Sequence, residues 1–68
     1  MLNTDNAIIY TAALFLSAPV LNLQTRADTI DGTPVIRVSG IFASDDSAWE
    51  CIVWEEAAQD GSTYLYGE

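Results

Sequence analysis

Pro19 separates two hydrophobic periodicities, and that switch restricts the chain to a mixture of one helix and several strands. Ahead of it, the spacing predicts a helix from Asn3 to Ser17. The Asn3-Thr4-Asp5 cluster can cap free backbone N–H groups and place negative charge at the positive end of the helix dipole. On a 3.6-residue wheel Ile8, Ile9, Ala12, Phe15 and Leu16 form the widest apolar stripe, with Ala7 and Leu14 well away from it. Such a helix asks for cover on more than one side. Either it lies across a sheet with Leu14 partly exposed, or it forms a dimer seam.

After Pro19 the period falls to two. Val20 to Thr25 alternates Leu21 and Leu23 against Asn22 and Gln24, the pattern of a half-buried strand. Ala27 to Pro34, with Asp31-Gly32-Thr33-Pro34, has turn chemistry. Val35 to Phe42 alternates again, Ile36 and Val38 on one face and Val35, Arg37 and Ser39 on the other, with Gly40 as a candidate bulge before Phe42. These two strands read as a hairpin. Ser44 to Gly61 is open to two readings. Ser47-Ala48-Trp49-Glu50 matches a capping box and Gly61 could end a helix, whereas Trp49, Cys51, Ile52, Val53 and Trp54 have the composition of a strand. The strand reading is preferred for Trp49 to Glu56, followed by a turn at Asp60-Gly61 and a last strand through Tyr64-Leu65-Tyr66. The expected fold is α+β: one N-terminal helix packed on a four-stranded antiparallel meander, a single small domain over residues 1–68.

With a single cysteine and no histidine, the 68 residues offer neither an internal disulfide nor a Cys/His zinc site, so stability must come from packing or self-association. Two Arg, no Lys and ten acids give a net charge of −8. That balance is wrong for duplex nucleic acid and for anionic membranes, which both select basic residues. The apolar run from Ala7 to Leu16 is about half the roughly 20 residues of a spanning helix, and the residues before it lack the positive charge of a signal peptide. A cytoplasmic protein is expected, with Cys51 as a small buried hydrophobe.

Nothing in the chain resembles a catalytic constellation. Cys51 has no histidine or lysine to activate it, no Gly-rich phosphate loop is present, and Asp45-Asp46 with Glu50 lacks the pattern of a calcium loop and reads as solvated. No catalytic residue, cofactor or metal is expected. Six of the ten acids, Asp45, Asp46, Glu50, Glu55, Glu56 and Asp60, fall within sixteen residues and interleave with Trp49 and Trp54. On a strand, Glu50, Ile52, Trp54 and Glu56 share one face, where Tyr64 or Tyr66 can join them; Trp49, Cys51, Val53 and Glu55 share the face under the helix. Alternate strand positions lie about 6.6 Å apart, twice the rise per residue and close to the spacing of phosphates along one nucleic-acid strand, so carboxylates on a sheet can imitate a phosphate row. An acidic surface on a small protein also serves solubility.

In size, in lacking lysine and histidine, and in the Asp45 to Asp60 cluster with its tryptophans, the chain resembles the small acidic proteins that phages and mobile elements direct against host defence, of the anti-CRISPR and anti-restriction DNA-mimic type. The resemblance is one of class and carries over no family motif. It implies inhibition of a nucleic-acid-binding complex in the host cytoplasm by occupying the site for its DNA, without catalysis or cofactor. Asp45, Asp46, Glu50, Glu55, Glu56 and Asp60 would supply charge and Trp54 an anchor toward a basic protein surface, with Arg26 and Arg37 paired to local acids. The alternative is a structural or assembly subunit, a homodimer for instance, whose apolar helix and open sheet face are covered by copies of itself.

Overall fold

The computed structural model describes residues 2–15 and 19–68, and side chains in the helix as far as residue 13. The order is α1 (Thr4–Phe15), β1 (Val20–Ile30), β2 (Thr33–Phe42), β3 (Ala48–Ala57) and β4 (Thr63–Gly67). The strands pair antiparallel in sequence order as β1-β2-β3-β4, which is the expected α+β meander.

Asn3 caps α1. Its side-chain oxygen accepts from the Asn6 N–H at 2.8 Å, satisfying one of the free donors at the helix start, and its carbonyl accepts the first helical bond, from the Ala7 N–H at 2.9 Å. The expected extension through Leu16 to Ser17, and the placing of the Leu14 and Phe15 side chains, fall outside the described residues. The helix lies on β2, β3 and β4, and the face it buries is not the expected stripe. Ala7 and Thr11 are fully buried, Tyr10 and Leu2 pack beside them, and Ile9 is 66% exposed, with Ala12 also exposed. Close approach explains the correction. A Cβ added at Gly67 would sit 2.7 Å from Tyr10 Cε1 and 3.3 Å from Cys51 Sγ, so the Tyr10 ring rests directly on the β4 backbone. With Tyr10 seated there, the same side of the helix turns Ala7 and Thr11 onto the sheet, and both are fully buried. The Thr11 hydroxyl donates to the Ala7 carbonyl at 2.8 Å, so burying it leaves no unpaired donor.

The core beneath α1 comprises Ile36, Val38, Cys51 and Val53: Cys51 and Val53 from the face expected under the helix, and Ile36 and Val38 from the face that alternation had grouped together on β2. Cys51 is free and buried, as expected. Two strand details differ from the sequence reading. First, the turn is narrower than Ala27 to Pro34: β1 runs to Ile30, which pairs with Thr33 across Asp31-Gly32 alone. Asp31 (φ 51°) and Gly32 (φ 82°) both adopt the left-handed conformation that a two-residue hairpin loop requires. Pro34 is tolerated in β2 because its nitrogen points away from β1, and pairing with β3 begins only at Ile36. Second, the register shift lies in β1, between Leu21 and Gln24, rather than at Gly40. Asn22, at φ 56°, absorbs it, while Gly40 opposite is needed for a different reason: the Trp49 ring crosses it, and a Cβ there would lie 2.8 Å from Trp49 Cζ2.

The ambiguous stretch is strand. β3 spans Ala48–Ala57 and its registers with β2 and β4 are unbroken. The loops at its two ends use one device. Asp45 accepts from the N–H and hydroxyl of Ser47, and Asp60 accepts the same pair from Ser62. In each case these hydrogen bonds, with the Ser hydroxyl first, hold the carboxyl below its ordinary value.

Candidate partner-binding surface

The face of the sheet away from α1 carries Glu50, Ile52, Trp54 and Glu56 from β3, as alternation requires. Antiparallel register sets Tyr66 opposite Trp54 and Tyr64 opposite Glu56. The Trp54 and Tyr66 rings stack, with centroids 6.0 Å apart and planes 17° from parallel. The Trp54 indole N–H donates to Glu56 Oε1 at 3.1 Å, which fixes a carboxylate at the edge of the stack.

The open face divides into two halves of different electrostatics. Toward β1, the Arg37 guanidinium bridges Asp28 (2.7 Å) and Glu50 (2.8 Å), and Arg26 lies 3.9 Å from the same Asp28 oxygen. The Arg37 hydrogen bond holds the Asp28 carboxyl below its ordinary value, and Asp28 and Glu50 in turn raise Arg37. Both arginines thus pair with local acids, and their charges offset Asp28 and Glu50. The net charge of −8 therefore resides in the other eight acids: Asp5, Asp31, Asp45, Asp46, Glu55, Glu56, Asp60 and Glu68.

The other half is a groove of about 500 Å³ between the end of the β1–β2 hairpin and the β3–β4 edge. Ile30, Val35, Ile52 and Trp54 form its apolar part, the acids Asp31, Glu55, Glu56 and Glu68 border it, and no arginine is among the described residues that line it. Val35 is only 4% exposed although it points away from the helix. Glu68 is placed by reciprocal backbone bonds with Ile52, at 3.0 and 3.1 Å, which extend the β3–β4 ladder past Gly67.

The six clustered acids do not converge. Asp45 and Asp46 lie in the loop before β3 and Asp60 in the loop after it, about 30 Å apart at the usual rise per residue. Glu50 is held by Arg37, and Glu55, opposite Leu65, alternates toward the helix side of β3 yet still borders the groove. Of the six, Glu55 and Glu56 border the groove, and Glu56 is the one bonded to Trp54 on the open face. No row of carboxylates at 6.6 Å forms along β3, because Ile52 and Trp54 fill the positions between Glu50 and Glu56. Asp31 and Glu68 join Glu56 from elsewhere in the chain, which sequence clustering could not reveal. The Asp31-Gly32 turn was the one available signal for Asp31, since a two-residue loop brings its acid to the end of the sheet.

Among the described residues no three His, Cys, Asp or Glu side chains gather closely enough to hold a metal ion, and no helix is long and apolar enough to cross a membrane. Comparison with protein-family models, with curated proteins and with solved structures finds no match for the chain.

Proposed function

We propose that this protein is a non-enzymatic acidic inhibitor that occupies a basic nucleic-acid-binding surface of a host defence complex, in the manner of an anti-CRISPR DNA mimic. The observation that carries the reading is the Trp54–Tyr66 stack bordered by Glu56 and lying outside the arginine cluster. Channels for single-stranded nucleic acid combine cations that track phosphates with platforms that stack bases. A stacked pair of rings, Tyr66 exposed and Trp54 half-buried, with carboxylates beside it presents such a channel with both features of its ligand.

Magnitude favours a single strand over a duplex as the object imitated. Eight net charges along a longest dimension of 42 Å amount to one per about 5 Å. Duplex DNA carries one per ~1.7 Å and each of its strands one per ~3.4 Å, so the protein is about a third as dense as a duplex. Asp45 and Asp46 at one end and Asp60 at the other serve in this reading to steer encounter over the length of the molecule, while Glu56, Glu68 and Asp31 with Trp54 make the short-range contact.

The experiment is competition with labelled DNA on purified CRISPR and restriction effector complexes. Inhibition of at least one complex is expected to be overcome by excess single-stranded DNA, to weaken as salt rises, and to be lost in Trp54→Ala and Glu56→Lys. Inhibition that excess DNA cannot overcome, or that persists in both variants, contradicts this reading.

A further inference from the structure

β1 is an edge strand, and from Gln24 to Ile30 every residue except Asp28 is exposed. Its inner hydrogen bonds can be assigned from the turn. Ile30 and Thr33 close the two-residue loop as a bonded pair, so Asp28, Arg26 and Gln24 also bond toward β2. The bond from the Ala43 N–H to the Pro19 carbonyl continues this alternation along β2. The N–H and C=O groups of Thr25, Ala27 and Thr29 therefore point outward, away from the sheet.

The unbroken part of β1 runs from the register shift before Gln24 to the turn after Ile30, and its midpoint is Ala27. A two-fold axis through Ala27 would place Arg26 against the second copy's Asp28, Thr25 against the second copy's Thr29, and Gln24 against the second copy's Ile30. The outward groups fall on the bonded pairs of this register. Arg26 and the second copy's Asp28 fall on the non-bonded pairs, where side chains approach most closely. Sliding by one pair in either direction sets Arg26 against Arg26 or Asp28 against Asp28, so like charges oppose both neighbouring registers. Arg26, with its side chain 71% exposed and only 3.9 Å contact to its own Asp28, is available for the second copy.

We propose that two copies of this chain pair antiparallel through β1, centred on Ala27, joining two four-stranded sheets into one. The edge itself carries one Arg and one Asp and is neutral. The acids of β3 lie two strands in, about 10 Å from the seam, which exceeds the ~8 Å screening length at physiological salt, so the charge of −8 on each copy does not forbid the contact. The inference is independent of the function proposed above and uses a different surface.

The test is mass by sedimentation equilibrium on the full chain, from micromolar concentration to about 1 mM. The mass is expected to rise toward twice 7.4 kDa. Ala27→Pro removes an outward N–H that the β1–β2 ladder does not use, so it should yield a monomer with an unchanged circular dichroism spectrum. Arg26→Asp should weaken the dimer about tenfold, and mixing it with Asp28→Arg should restore a heterodimer, since both cross-strand pairs again join opposite charges. If Asp28→Arg fails to fold for want of its bond with Arg37, Ala27→Cys decides: directly opposed positions about 5.5 Å apart are within disulfide reach, so oxidation should cross-link two chains. A monomer at the highest concentration, a dimer that survives Ala27→Pro in a folded variant, or absence of the cross-link would overturn the proposal.

Discussion

The two faces of the sheet are built on opposite terms. Under α1 the positions are small and almost without charge: Ala7 packs with Val38, Cys51 and Val53, the Trp49 ring lies over Gly40 and the Tyr10 ring over Gly67. On the open face the positions are long, charged or aromatic, and their contacts are partly solvated. Stability is thus concentrated on one face, which leaves the other free to carry an unbalanced charge. An ion pair on a wet surface contributes little, whereas filling or emptying a tight seam is felt at once.

The largest effect expected from a single change is therefore on the covered face. Gly67→Val must displace the Tyr10 ring and should cost about 1–3 kcal/mol by urea unfolding, with Gly40→Val acting similarly through Trp49. A variant as stable as the parent would mean that the helix is not held at the distance described. Next comes the aromatic pair. Trp54→Ala should lower stability by about 1 kcal/mol, from loss of the stack and of some buried area, while removing binding to basic partners. Should binding survive, the anchor lies elsewhere.

Arg37→Met probes the boundary between the two halves of the open face. It releases Asp28 and Glu50 from their shared cation and takes the net charge from −8 to −9. Binding of an arginine-rich peptide is expected to tighten at low salt and to depend more steeply on salt, and thermal unfolding should occur at lower temperature. An unchanged salt slope would show that the Arg37 cluster does not limit the acidic surface.

The smallest expected effect is on pH dependence. Asp28, Asp45 and Asp60 are all held below their ordinary 3.8 in the folded chain. A depressed carboxyl stabilises the fold fully above its unfolded value, and that contribution is lost as pH falls through the folded value. Melting temperature should therefore decline below about pH 3.8, and Asp45→Asn with Asp60→Asn should shallow the decline by removing two of the three groups. Equal slopes in parent and variant would contradict the assignment of those loop hydrogen bonds.

The sequence disclosed the strand faces and the helix start because both follow from local rules: alternation paired Ile36 with Val38 and Cys51 with Val53, and Asn3 caps the helix three residues before the bonded Asn6. It did not disclose which stripe of α1 faces inward. Hydrophobicity ranked Ile9 above Ala7 and Thr11, whereas the seat that Gly67 and Cys51 give the Tyr10 ring lies more than forty residues from Tyr10 and is legible only in three dimensions. The turn was overdrawn for a related reason. Ala27 to Ile30 lacks a clear alternation of apolar residues yet joins the sheet because β2 supplies its partners and Arg37 holds Asp28. The charge cluster misled most. Six acids near in sequence were spread over two loops and two faces by a single strand of ten residues, while Asp31 and Glu68, distant in sequence, came to lie beside Glu56.

The central claim is therefore one of position: recognition depends on the carboxylates beside Trp54 and not on net charge as such. Glu56→Gln and Asp46→Asn each remove one negative charge, the first at the groove and the second in the loop before β3. Titration of an arginine-rich peptide into each, followed by tryptophan fluorescence at physiological salt, compares them directly. A loss of about tenfold for Glu56→Gln with less than about twofold for Asp46→Asn is the predicted result. Equal losses would contradict the account, because they would make the surface a diffuse charge and the groove incidental.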